Sequence, residues 1–150
     1  MRPPVVPARL GFWLALLLAQ AAVAQGGTAS IEVQARGLRN STGALGCQLF
    51  ASAAGFPGQA ERAVAAQLSP IVNGQARCRF TQLPAGSYAI AVLHDENGNG
   101  RLDTNLLGLP SEGYGASLNR SAGLTPPRWE DARFELADGE TRALGISLRY

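Results

Sequence analysis

Lysine is absent from the chain, histidine occurs once and cysteine twice. Those counts exclude zinc fingers, haem-attachment motifs, catalytic CxxC pairs and multi-disulfide scaffolds, all of which need more of these residues or closer spacing. Only 16% of the 150 residues are charged, too few for a coiled coil, and the 46% apolar content excludes a charged disordered tail. No second histidine, no G-x-S-x-G run and no free-cysteine signature accompany His94. The chain therefore offers no recognisable hydrolytic centre, and its parity with Tyr88, Ile90 and Val92 makes His94 a strand-end core residue. The expectation is that the protein is not an enzyme.

A long hydrophobic run is missing as well, save at the start. Arg2 and Arg9 precede an apolar stretch from Leu10 to Leu18, and Ala22-Val23-Ala24 supplies the small residues of a cleavage site. This is the pattern of a cleavable signal peptide over residues 1–24, too short before Gln20 to span a bilayer. Residues 25–150 are expected to form one exported domain, periplasmic or extracellular, with no transmembrane segment. Removing Arg2 and Arg9 leaves eleven arginines against eleven acids. The balance gives no reason to expect nucleic acid or anionic lipid as a partner, both of which demand a clustered basic surface.

The mature chain alternates with period two. Ile31, Val33 and Ala35 interleave with Glu32, Gln34 and Arg36, and Asn40 to Gly43 turns the chain into a strand from Ala44 to Ala51. Asn73-Gly74 predicts a tight hairpin between Leu68–Val72 and Gln75–Thr81. The near-continuous apolar run from Tyr88 to Leu93 predicts a central strand over Ser87–His94. Asp138-Gly139 is expected to join Phe134 and Leu136 to Leu144, Ile146, Leu148 and Tyr150 as a closing hairpin. Between Pro57 and Leu68, Ala60, Val64 and Leu68 recur at helical spacing, and a short crossover helix or an extended loop fits equally. The sum is an all-β fold, an antiparallel seven-stranded immunoglobulin- or prealbumin-like sandwich. Cys47 and Cys78 share parity with buried neighbours, so export predicts a disulfide between them, two buried thiols being the alternative.

The densest chemistry lies in His94-Asp95-Glu96-Asn97-Gly98-Asn99-Gly100-Arg101-Leu102-Asp103. Oxygen-bearing side chains at Asp95, Asn97, Asn99 and Asp103, with glycine at the sixth position, match the first three-quarters of an EF-hand-type calcium loop. Arg101 would add its backbone carbonyl. The twelfth position holds Leu106 where a bidentate glutamate belongs, so a closing oxygen must come from Asn105, Glu96 or, through the long loop, Glu112. The expected cofactor is a structural Ca²⁺ bound weakly, at roughly 0.1–1 mM. A bare turn is the competing reading, since Asn and Gly are also what positive φ selects. Asn40-Ser41-Thr42 fits a glycosylation acceptor but sits in a turn.

The segment from Thr104 to Glu130 is long for a connection and carries Tyr114, Pro126, Pro127 and Trp129. These residues either plug an end of the sandwich or form an aromatic patch for a sugar or peptide. An ion in the preceding loop would order this segment toward an envelope or extracellular ligand.

With Gly37-Leu38-Arg39-Asn40, Phe56-Pro57-Gly58, Leu83 to Ile90, the HDENGNGRLD run, Gly108 to Gly115 and Trp129 to Ala132 in place, the sequence resembles a family of exported bacterial proteins known as domain of unknown function 2141. That resemblance implies no activity. More loosely, Leu83-Pro84-Ala85-Gly86-Ser87-Tyr88 is similar to a turn of prealbumin-like and collagen-adhesin B-type modules, which implies a sandwich and a calcium-stabilised surface or periplasmic protein.

Overall fold

The computed structural model describes residues 27–120 and 125–150. The predicted signal segment lies outside them. Eight strands lie in the described residues: β1 Ala29–Arg36, β2 Ala44–Phe50, β3 Ala65–Ser69, β4 Ala76–Leu83, β5 Gly86–Asp95, β6 Gly113–Ala116, β7 Phe134–Leu136 and β8 Thr141–Ser147. The only α-helix among these residues is one turn, α1, Trp129–Ala132. The fold is all-β, in two sheets ordered β4-β1-β8 and β3-β2-β5-β6, with β7 pairing to β5.

The alternation seen in the sequence is the alternation of burial. Ile31, Val33 and Ala35 of β1 face Leu45, Cys47 and Leu49 of β2, Cys78 and Phe80 of β4, Ile90 and Val92 of β5 and Ile146 of β8 in one core. Their partners Glu32 and Arg36 are exposed. Each buried Leu or Ile side chain contributes about 1.5–3 kcal/mol relative to exposure, which sets the inward parity of every strand. A disulfide joins Cys47 to Cys78 and so links β2 of one sheet to β4 of the other. β5 is covered on both faces, because Ala89 packs outward with Ala116, Ala132, Phe56 and Trp129 in a second small cluster. It is the expected central strand.

Three expectations are corrected. The strand count is eight in the described residues, not seven. The closing hairpin does not form. The Asp138-Gly139 turn is present, with Glu140 N–H donating to the Ala137 carbonyl, but β7 pairs antiparallel with β5 and β8 pairs parallel with β1, so the sandwich is not wholly antiparallel. Alternation specifies which face a residue takes and says nothing about which strand lies beside it. The segment before Asn73-Gly74 is also displaced. Both turn residues take positive φ, and Val72 pairs with Gln75, but the regular strand is Ala65–Ser69, preceded by a 3₁₀ turn at Ala60–Arg62. Leu68 and Val64 are exposed there while Ser69 is buried, donating to the Arg77 carbonyl.

The seams between sheets are closed by side chains and single bridges. Gln67 accepts the Arg79 N–H between β3 and β4, and Tyr114 exchanges both backbone bonds with Arg149 beside β6. The Asn119 amide donates to Gly145 O and accepts from Ser147 N on the free side of β8. A primary amide there imitates a neighbouring peptide and occupies an edge otherwise open to another strand.

Candidate functional site

β5 ends at Asp95, which is buried at the mouth of the loop it opens. Its Oδ1 accepts N–H groups from Gly98 at 2.7 Å and Asn99 at 3.1 Å, and its Oδ2 accepts that of Gly100 at 2.7 Å. One carboxylate thus gathers three successive backbone N–H groups, a curl that Gly98 and Gly100 permit with φ of 76° and 74°. Asn97 Oδ1 accepts from Asn99 N, and Asn99 Oδ1 from Arg101 N. These Asx turns leave the amide Nδ2 groups free to donate to Asp103, Asn97 to Oδ2 at 2.5 Å and Asn99 to Oδ1 at 2.8 Å.

Four of the five residues singled out in the sequence are therefore brought together around this loop. Arg101 enters by its backbone N–H. The Asp103 carboxylate accepts from two neutral amides, which carry no charge to balance it, while all the gathered groups offer hard oxygen donors on reorientation, the chemistry that suits Ca²⁺ rather than a soft metal. Among the described residues no three carboxylate, histidine or cysteine side chains converge, so an ion here depends on amide oxygens as well.

Glu112 does return to the loop across the intervening segment, and it is buried. Its Oε1 accepts Glu96 N at 2.8 Å and its Oε2 accepts Asp103 N at 3.2 Å. The carboxylate clasps both ends of the loop by their amides. Ser111 N also donates to Asp103 O, which holds the returning strand against the loop exit.

On the other side of Asp95 stands a cluster that sequence patterns do not announce. His94 is fully buried, with Nε2 against the Thr42 carbonyl at 2.8 Å and Nδ1 against the Tyr150 hydroxyl at 2.6 Å. The Thr42 carbonyl can only accept, so the ring carries its hydrogen on Nε2, and Nδ1 accepts the proton of the Tyr150 hydroxyl, whose oxygen also accepts the Arg39 N–H at 3.0 Å. Arg39 lies 4.6 Å over the Tyr150 ring and pairs with Glu96 at 2.6 Å. The Arg39 hydrogen bond, which outweighs the opposing effect of burial, holds the Glu96 carboxyl below its ordinary range, and the Asn40 amide and the Arg39 charge add to it. Gly113 makes room for this cluster, since a Cβ there would lie 2.5 Å from the Tyr150 ring. The only signal in the sequence was the parity of Tyr150 with Leu144, Ile146 and Leu148. The turn reading of Asn40-Ser41-Thr42 agrees with the geometry, as Asn40 Oδ1 accepts Thr42 N at 2.9 Å.

Outside the larger sheet lies a cavity of about 530 Å³. Ala91, Leu93 and Tyr114 line it along with Pro57, Pro126 and Pro127, and Gly100, Arg101 and Leu102 bring the exit of the Asp95 loop into its wall. Tyr114 and Trp129 do not form one patch. Trp129 stacks edge-on against Phe56 at 6.0 Å, closing the outer face of β5 as a plug, and the cavity is left to Tyr114.

The model of the DUF2141 family, described as uncharacterised protein conserved in bacteria, matches residues 33–143. The chain belongs to that family. No match was found among curated proteins or among solved structures.

Proposed function

We propose that this DUF2141 member is an exported, non-enzymatic β-sandwich protein, periplasmic or secreted, whose Asp95–Asp103 loop holds a structural calcium ion. The carrying observation is the Asp103 carboxylate, met by two asparagine amides inside a loop that Asp95 has already curled. Asp95, Asn97, Asn99 and Asp103 would hold the ion with side-chain oxygens and Arg101 with its carbonyl. A cation supplies the positive charge that the amide hydrogens only approximate. Because Gly100 to Leu102 wall the cavity, fixing the loop also fixes that surface for an envelope or extracellular ligand. The buried Cys47–Cys78 disulfide supports export into an oxidising compartment. Both ring nitrogens of His94 are engaged by structural partners, which supports a non-catalytic role.

The test is thermal unfolding of residues 25–150 in EGTA and in millimolar calcium, for the wild type and for Asp103→Asn. Calcium at ten times Kd stabilises by about 1.4 kcal/mol, a rise of about 5 °C for this size. Asp103→Asn should lose that rise. Equal melting of the wild type in both buffers would reduce the loop to a turn and remove the ion.

A second reading is supported by the cavity itself: a carbohydrate or cell-envelope binding module using Tyr114, with Trp129 as its structural support. Chemical-shift perturbation of the cavity residues by glycans, lost in Tyr114→Ala, would favour it. Saturating glycan without perturbation would remove it.

A further inference from the structure

The sheet β4-β1-β8 turns one face to the core and the other to water, and the outer face shares no residue with the calcium loop or the cavity. Because Ile31, Val33 and Ala35 of β1 and Ala76, Cys78 and Phe80 of β4 point inward, Glu32, Gln34, Arg36, Arg77 and Arg79 point outward. Strand register sets them in rows. Arg79, Glu32 and Ala143 share one, Arg77, Gln34 and Gly145 share the next, and Arg36 stands one rung beyond, since Ala35 pairs with Ala76. Successive rows are about 6.8 Å apart, so the three arginines form a stripe along the sheet. Ala143 and Gly145 keep the β8 side low, and a Cβ at Gly145 would meet nothing within 4 Å. The result is a depression of about 680 Å³, floored by small residues and walled by arginines and glutamines.

The sign of this face survives a count of its ion pairs. Glu32 is the one acid lining the depression, 3.6 Å from Arg79, and both are more than half exposed. Arg36 donates only to the neutral Gln34 Oε1 at 3.2 Å, and Arg77 pairs with no acid among the described residues. Glu140, just before β8, is held by Arg142 at 2.6 Å. Three arginines against one glutamate leave two positive charges, which select an anionic ligand. What the face lacks narrows the class. None of the exposed large apolar residues belongs to β1, β4 or β8, so there is nothing to insert into a bilayer and no apolar centre for a protein hot spot. No aromatic ring lines the depression for nucleobases to stack on. Guanidinium forks at regular spacing, side-chain amides and a bare strip of strand suit a flat hydroxylated chain that carries carboxylates along its length.

We infer that the outer face of β4-β1-β8 binds an acidic polysaccharide of the polyuronate type, its carboxylates on Arg36, Arg77 and Arg79 and its rings over Ala143 and Gly145. The inference takes from the proposed export only the compartment in which such a polymer is met, and it needs neither calcium nor the Tyr114 cavity. Binding of residues 25–150 to alginate, a uronate polymer, is measured by titration calorimetry in EGTA at low salt, with dextran as the uncharged control. The wild type should bind alginate and not dextran, and Arg77→Gln/Arg79→Gln should bind at least ten-fold more weakly. Glu32→Gln should bind several-fold more tightly, because it removes the one competing carboxylate. Gly145→Leu, which fills the floor, should weaken binding several-fold, and Tyr114→Ala should leave it unchanged. A wild type that ignores alginate, or an arginine variant that binds equally, overturns the inference. So does polyglutamate binding as tightly as alginate, which would give the face to an acidic protein segment.

Discussion

Glu112 accepts the backbone N–H of Glu96 at 2.8 Å through one carboxylate oxygen and that of Asp103, at the far end of the same loop, through the other. The loop is therefore closed on itself by a buried side chain sixteen residues away from its first anchor. Glu112→Ala leaves two partly buried N–H groups without acceptors, at about 1–3 kcal/mol each when fully desolvated. A loss of about 2 kcal/mol or more in urea unfolding, already present in EGTA, is expected. Glu112→Gln keeps one acceptor oxygen and sets an NH₂ against the other N–H, so it should fall between the two. A Gln variant as stable as wild type would show that the clasp is not made by both oxygens.

The Cys47–Cys78 bridge encloses a sequence separation of 31 residues and ties facing strands of the two sheets. Restricting the unfolded chain over that length is worth about 3–4 kcal/mol on the loop-entropy model. Cys47→Ala/Cys78→Ala should lower the unfolding free energy by that order, and dithiothreitol should bring the wild type toward the same midpoint. No change with reductant would place the stability elsewhere.

His94 and Tyr150 give a third test, because the acceptor-only Thr42 carbonyl puts the His94 proton on Nε2 and leaves Nδ1 to accept from the Tyr150 hydroxyl. Long-range ¹⁵N correlation should find the proton of His94 on Nε2 and none on Nδ1. Tyr150→Phe removes the donor to Nδ1 and should cost about 1 kcal/mol while keeping the ring in its place. Gly113→Ala should cost more, as its Cβ meets that ring at 2.5 Å. Finding the proton on Nδ1 would reverse the assignment.

Strands β1, β2 and β5 were legible because burial on one face writes itself into alternating residues, and Asn73-Gly74 because positive φ selects those side chains. The partner of a strand leaves no such trace. Nothing in Leu144, Ile146 and Leu148 distinguishes a hairpin with β7 from a parallel edge beside β1, and burial is the same in both. Leu68 misled for a related reason: an edge strand covered on one side by β2 tolerates an exposed leucine where a central strand would not. At the site, spacing grouped Asp95, Asn97, Asn99 and Asp103, and hydrogen bonds do bring these four together, since a curling loop sets alternate residues side by side. It had no means to say that Glu112 meets amides, or that Trp129 and Tyr114 lie on different elements with different neighbours. Those depend on contacts across the fold, as does the Tyr150 clasp on His94.

Arg39 and Glu96 supply the pH dependence. Hydrogen bonding from Arg39 is the largest influence lowering the Glu96 carboxyl, with the Asn40 amide next among the lowering effects. A carboxyl held down in the folded protein adds stability that is complete above its unfolded value, near 4.3, and is lost as pH falls through its folded value. Arg39→Gln removes most of that depression. The stability gap between wild type and variant should therefore be present at pH 7, small because the pair is solvent-screened, and should narrow steadily below pH 4. Thermal melts at pH 7, 4 and 3 in low salt measure it. If the gap persisted undiminished at pH 3, Arg39 would be acting through the Ser111 carbonyl and the Tyr150 ring, contacts that protonating Glu96 leaves untouched.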